Sequence, residues 1–303
     1  MADTPTFTRR DAQFDSQGVT CRAWVYEPAE SNGAALVMAH GLAGTRDAGL
    51  EPFAEAFALG GYIVVLFDYR HFGASDGEPR QLLSIGKQLQ DWQAAVAFCR
   101  ALPGVDEARI GLWGTSFSGG HVVTTAARDP RIAAISAQGP MLDGLSAALN
   151  IMRYAGLGQL LRISAYGAAD QVRAWLGRDP VTVPVTAPPG EFAAMSSPDA
   201  QAGYGAITPA DWRNKMTARM TLYLPLYRPV ARAGQLKCPA LILACTGDSV
   251  APAAAADRLA RKAGPQVTLK RYDIGHFDIY VGAARDRAIA DQLAFFDRHL
   301  GAR

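Results

Sequence analysis

Four short, continuous apolar runs limit the fold of this chain more than any other feature. They are Ala34–Ala39 (AALVMA), Tyr62–Phe67 (YIVVLF), Arg109–Trp113 (RIGLW) and Ile132–Ala137 (IAAISA), each bounded by Gly, Pro or Asp. Runs this short and this continuous leave no polar face, which suits strands buried on both sides of a parallel sheet. Between them, Leu50–Leu59 (LEPFAEAFAL) and Ile85–Leu102 (IGKQLQDWQAAVAFCRAL) carry apolar residues at three- and four-residue spacing, as helices with one buried stripe do. Alternation of this kind predicts an α/β, doubly wound, mostly parallel sheet with right-handed crossovers. Ahead of it, Ala23-Trp24-Val25-Tyr26 alternates and reads as an early antiparallel strand.

The rhythm stops after Pro140 and resumes with Ala240–Ala244 (ALILA), a helix over Ala253–Ala263, the strand Gln266–Tyr272 (QVTLKRY) and a last helix near Ala284–Leu300. Between Met141 and Gln235 no buried strand pattern stands out. Gly144–Gly177 reads as two or three helices. Arg178–Pro209 holds Pro180, Pro184, Pro188, Pro189, Pro198 and Pro209 and reads as an irregular, ordered loop, and Thr217–Tyr227 is short, apolar and aromatic. The expected organisation is a core of residues 1–140 and 236–303, interrupted by a helical, Pro-rich lid at 141–235 over the carboxyl ends of the strands.

A chain of 303 residues is long enough for such a core. Its 30 basic and 28 acidic residues give a net charge of +2, so no field for nucleic acid or a membrane surface is expected. No apolar run approaches the roughly 20 residues that span a bilayer. The opening MADTPTFTRRDAQFD lacks the apolar stretch of a secretion signal. Cys21, Cys99, Cys238 and Cys245 form no C-x-x-C pair and read as buried small hydrophobes. These features together suggest a cytoplasmic protein without metal or organic cofactor, whose partner is a small-molecule substrate. The oligomeric state stays open, a homodimer included.

The chemistry gathers where strands end. Gly114-Thr115-Ser116-Phe117-Ser118-Gly119-Gly120 follows RIGLW and precedes the helix-like Gly120–Arg128, the strand–turn–helix setting of a nucleophile elbow. A serine at such a turn is forced into a strained backbone and projects its hydroxyl above the sheet, at the positive end of the following helix. Ser118 stands where the usual G-x-S-x-G has its second glycine, and serine is still small enough to pack closely. The competing reading is a Gly/Ser-rich turn without chemistry; the strand before it and the helix after it favour the elbow.

A serine hydroxyl needs a base within hydrogen-bond reach. Of His40, His71, His121, His276 and His299, only His276 lies in a loop just past a late strand. His40, directly after a strand and before Gly41, reads as ordering the next loop. The third partner belongs after a strand, between serine and histidine in sequence. Asp248, in Cys245-Thr246-Gly247-Asp248-Ser249-Val250-Ala251-Pro252, meets that condition, although it can equally cap the next helix. An oxyanion hole needs two backbone N–H groups aimed at the developing charge. Phe117 supplies one, and Leu42 in His40-Gly41-Leu42-Ala43-Gly44 the other. In the lid, Met152, Tyr154, Met195, Tyr204, Trp212, Met216 and Tyr223 are candidates to line an apolar substrate pocket, each with ordinary packing as its alternative.

These residues together resemble the α/β-hydrolase superfamily over nearly the whole chain. More narrowly, Asp68-Tyr69-Arg70-His71-Phe72-Gly73-Ala74-Ser75-Asp76-Gly77 and the GTSFSGG elbow are similar to the X-Pro dipeptidyl-peptidase-like and dienelactone-hydrolase-like branch. The stretch Pro188-Pro189-Gly190 to Met195-Ser196-Ser197-Pro198-Asp199 resembles hydrolases of the polyketide-transferase type. The resemblance implies a Ser116–His276–Asp248 serine hydrolase, with the Asp68–Asp76 stretch organising the loop below the site. Related peptidases use a tyrosine hydroxyl at the oxyanion, whereas the HGLAG loop here implies two backbone amides. The expected reaction is hydrolysis of an ester-like bond (carboxylic ester, lactone or thioester) of a small, fairly apolar substrate through an acyl-enzyme. The alternatives are an acyltransferase or thioesterase for a secondary-metabolite or carrier-bound acyl group, and a non-catalytic ligand-binding protein on the same scaffold.

Overall fold

The computed structural model describes residues 6–301, so the first five residues of the polar opening lie outside it. The strands are β1 (Phe7–Ser16), β2 (Val19–Pro28), β3 (Ala35–Ala39), β4 (Ile63–Phe67), β5 (Ile110–Thr115), β6 (Ala134–Gln138), β7 (Thr182–Val183), β8 (Met216–Thr217), β9 (Ala240–Cys245) and β10 (Val267–Tyr272). The helices are α1 (Glu51–Leu59), α2 (Ile85–Arg100), α3 (Phe117–Ala126), α4 (Gly144–Trp175), α5 (Ala200–Ile207), α6 (Met220–Tyr223), α7 (Ala254–Ala263) and α8 (Gly282–Leu300).

Eight strands form one sheet in the order β1-β2-β4-β3-β5-β6-β9-β10. The β1–β2 and β2–β4 pairs are antiparallel and every other pair is parallel. The four apolar runs became β3 to β6, and every residue of those strands is buried. Helices α1 and α8 pack together, while α2 packs on α3, and α3 reaches α7 through a 3-10 turn at Pro229–Gln235. The sheet is thus doubly wound, as its alternating pattern requires. Strand β1 was not anticipated. Its sequence, FTRRDAQFDS, is charged because it is an edge strand, mostly open to solvent and paired along its length with β2.

The chain reverses its strand order at β3, which has β4 on one side and β5 on the other. Loops leaving β3 and β5 therefore diverge and open a crevice at the carboxyl end of the sheet, where α/β folds bind ligands. The long insertion between β6 and β9 starts beside that crevice. It contains α4, which is two helices joined at a kink where Gly156 takes φ 81° and ψ 167°. It also holds one small ladder, β7 with β8, and a single bridge from Thr186 to Met195. Strands of two residues are too short to leave a periodic signal, so the sequence reading found none here. The insertion has its own polar anchor. Buried Asp170 of α4 receives the backbone N–H groups of Val181 and Arg219 and both arms of the Arg219 guanidinium, at 2.7–3.0 Å.

No helix among the described residues is long and apolar enough to cross a membrane. The four cysteines are buried free thiols.

Candidate active site

Ser116 lies between the last residue of β5 and the first of α3, with φ 53° and ψ −118°. A non-glycine residue there carries roughly 1–3 kcal/mol of strain and persists only where its surroundings hold it. They do: the Ser116 N–H donates to the Gln138 carbonyl (2.8 Å), and its own carbonyl receives the N–H of Gly119 (3.0 Å) and Met141 (2.9 Å). The tightest constraint falls on Gly114, where a Cβ would stand 2.4 Å from the Ser118 carbonyl oxygen. Ser118 itself is fully buried, and its hydroxyl meets the Tyr69 hydroxyl at 2.9 Å, which in turn accepts from Trp92 Nε1 at 2.8 Å. The departure from G-x-S-x-G thus has a partner, supplied by the Asp68–Asp76 stretch.

The Ser116 hydroxyl is 3.0 Å from His276 Nε2, and His276 Nδ1 is 2.6 Å from Asp248 Oδ2. A carboxylate only accepts, so Nδ1 carries the proton and Nε2 is left bare to receive the serine proton. Burial pulls the imidazole toward the neutral form. The Asp248 charge and hydrogen bond, with a further push from Asp199, outweigh it and raise the His276 pKa above its ordinary 6.5. The two oxygens of Asp248 divide the roles that the sequence left open. Oδ1 accepts the N–H groups of Val250 (2.8 Å) and Ala251 (2.6 Å), and Oδ2 faces His276. Helix α7 begins only at Ala254, so the capping serves a turn and not that helix. The Gly247 N–H donates to the Ile274 carbonyl (3.0 Å), tying the Asp248 loop to the His276 loop.

On the other side of Ser116, the loop after β3 is fixed from within. The Gly41 carbonyl receives His40 Nδ1–H (3.0 Å) and the Gly44 N–H. Because a trans peptide sets C=O and N–H in opposite directions, this turns the Leu42 N–H away from the loop interior. His40 is neutral there, since burial lowers its pKa to about 4. Phe117 opens α3, so its N–H has no intrahelical acceptor. Asp68 holds the exit of the loop, receiving the N–H groups of Arg46 (2.7 Å) and Ala74 (3.1 Å). Burial pushes its pKa up to about 6 against the pull of Arg46.

Leu42, Ser116 and Phe117 together form one wall of a cavity of about 100 Å³. The rest is mostly apolar, with Ser164 and Thr221 among it, and comes mainly from the insertion, including Met141, Ile151, Ile163, Met220 and Leu224, with Tyr154, Met195 and Met216 from the sequence-based candidates. The other four candidates sit elsewhere. Met152 and Tyr223 are exposed and turned away from this cavity. Tyr204 and Trp212 spend their polar atoms on the loop after β3: the Tyr204 hydroxyl donates to the Leu42 carbonyl, and Trp212 Nε1 donates to the Ala43 carbonyl at 2.9 Å. Sequence reasoning also passed over Ile151, Ile163 and Leu224, because an apolar residue facing a cavity carries the same signature as one facing a core.

A family model described as serine aminopeptidase, S33, matches residues 30–280. The chain is 43% identical over 291 residues to the quorum-quenching protein AidA of Acinetobacter baumannii, covering 95% of this chain and 94% of that one. It is 27% identical over 306 residues to polyketide transferase af380 of Aspergillus fumigatus, covering 96% and 99%. Among solved structures, the α/β hydrolase GrgF of Penicillium sp. sh18 superposes with a TM-score of 0.82 at 26% identity, over 97% of this chain and 99% of that one.

Proposed function

The chain belongs to the serine aminopeptidase, S33, family of α/β hydrolases, and on that premise we propose that it is a serine hydrolase of small, fairly apolar ester-like substrates. Carrying the proposal is the unbroken chain from Asp248 through His276 to Ser116, ending at the wall of an apolar cavity. Ser116 Oγ attacks the carbonyl carbon as His276 Nε2 takes its proton. The carbonyl oxygen becomes an oxyanion held by the N–H groups of Leu42 and Phe117, and Asp248 stabilises the imidazolium. The imidazolium returns its proton to the leaving oxygen or sulfur, and the acyl group stays on Ser116. His276 then deprotonates a water that releases the acid. Residues 141–235 act as the lid that shapes the acyl site.

Peptide hydrolysis of the aminopeptidase type is disfavoured. A free α-ammonium needs a carboxylate near the site, and none lines this cavity among the described residues. The relative named for quorum quenching makes small signalling esters and lactones the first substrates to try. A second reading, acyl transfer to an alcohol or amine acceptor, is favoured by the relative named a polyketide transferase. Products formed with competing nucleophiles separate the two.

Turnover of aryl esters, acyl lactones and thioesters by the wild type and by Ser116→Ala tests the proposal. The substitution should lower kcat by roughly four or more orders of magnitude with the fold intact. Retained turnover would overturn it.

A further inference from the structure

We infer that Tyr204 and Trp212 are positioning residues through which the insertion completes the oxyanion hole, so that the seated insertion acts on the chemical step as well as on substrate choice. The inference rests on the serine-hydrolase reading above. Helix α5 and its flanks touch three of the four loops that carry the candidate chemistry, all but the Ser116 elbow. At its start, Asp199 accepts the hydroxyl protons of Ser197 and of Ser249, the residue after Asp248. In its middle, Gly203 lies so close to Phe277 that a Cβ would stand 2.1 Å from the ring. Phe277 packs edge-on against the His276 imidazole, with centroids 4.9 Å apart. Tyr204 meets the same Phe277 ring at 5.5 Å and stacks on Trp212 at 5.0 Å.

The two aromatic donors end on consecutive carbonyls of the loop after β3. Tyr204 holds Leu42 O and Trp212 holds Ala43 O. Leu42 lies between two peptide planes. The one before it is pinned by Gly41 O within the loop, and the one after it by Tyr204 from the insertion. With both planes fixed, the φ and ψ of Leu42 are fixed, and so is the direction of its N–H. Ala43, next along, has φ 51°, a conformation that a non-glycine residue keeps only when held, and Trp212 holds it. Neither aromatic ring lines the apolar cavity, though Tyr204 also borders a smaller pocket beside Ser116 and His276. Deleting their donors, with the Tyr204 ring kept in place, should therefore leave binding in the apolar cavity alone and loosen a donor that matters most in the transition state.

The test compares wild type, Tyr204→Phe and Trp212→Phe on a short-acyl aryl ester, with affinity for a trifluoromethyl ketone transition-state analogue measured alongside. Tyr204→Phe keeps the ring and deletes the donor; Trp212→Phe keeps an aromatic side chain, smaller than the indole, and deletes the donor. The expected result is a fall in kcat of about tenfold or more, short of the roughly 100–1,000-fold for deleting a hole donor outright. KM should stay within about twofold, and analogue affinity should weaken by the same factor as kcat. Wild-type kcat in both variants overturns the inference, as does a raised KM at unchanged kcat. If Trp212→Phe does not fold, Tyr204→Phe decides alone. Wild-type protein that neither turns over nor reacts with a fluorophosphonate overturns the hydrolase reading, and this inference with it.

Discussion

The sheet and the insertion hold their residues in place by different means. Ser116 and Asp248 stand on loops whose roots are fully buried parallel strands, His276 follows the parallel edge strand β10, and the Asp248 and His276 loops are bonded to each other through Gly247 N–H to Ile274 O. The insertion is held largely through side chains: the buried Asp170–Arg219 pair within it, and toward the rest of the molecule the Tyr204 and Trp212 donors, the Asp199–Ser249 bond, the Arg258–Asp143 pair and the Gln81 amide. Its outer surface leaves apolar residues in water, with Leu157 57%, Leu161 62% and Trp175 75% exposed. Rigid elements fix geometry to the tolerance that bond-making chemistry demands. The sheet thus carries the reacting groups, while the insertion supplies most of the cavity wall and, through Tyr204 and Trp212, reaches the loop after β3.

If the division is right, the largest effect belongs to the sheet side. Asp248→Asn keeps the shape but favours the wrong imidazole tautomer, and kcat should fall by about 10⁴-fold with Tm little changed. A small kcat effect with a large loss of Tm would mean that Asp248 serves its turn rather than His276. On the insertion side, Asp170→Ala leaves Arg219 without its buried partner and should cost about 3 kcal/mol or more. That loss should appear first as proteolytic cleavage within residues 141–235; cleavage spread evenly over the chain would break the comparison.

Smaller effects probe where the two regions meet. His276 must be neutral to act as base, and its pKa is raised, so kcat/KM should fall as pH drops through a midpoint above 6.5. The Asp199 charge from the insertion contributes to that rise, so Asp199→Asn should move the acid limb to lower pH. An unmoved limb would separate insertion from base. The smallest effect is expected from Met195→Ala, which enlarges the apolar cavity and should shift acyl-length preference by about tenfold. Met152→Ala, facing away from the cavity, should leave it within about twofold.

What the sequence revealed follows the same divide. Buried parallel strands need continuous apolar runs, so β3 to β6 were visible within a residue or two, and the turns after β5, β9 and β10 carry Ser116, Asp248 and His276 into one hydrogen-bonded chain. The charged edge strand β1 was not, because its partner lies on one side only and its side chains face water. In the insertion, residue type gave no direction. Tyr204 and Trp212 looked like pocket residues, yet an aromatic ring with a polar tip serves a backbone carbonyl as readily as a ligand. Tyr154, Met195 and Met216 reach the cavity and Met152 does not: Met152 and Tyr154 are two positions apart on one helical segment and so face different ways, while Met195 and Met216 are placed by the Thr186–Met195 bridge and the β7–β8 ladder. A single bridge and a two-residue ladder have no periodic signature.

The central claim is that Ser116 is a nucleophile made reactive by His276. Reaction with a fluorophosphonate, followed by peptide mass spectrometry, tests it most directly. The account predicts one adduct, on Ser116, lost in Ser116→Ala and slowed by orders of magnitude in His276→Ala. An adduct on another residue, or labelling at the wild-type rate without His276, would contradict it.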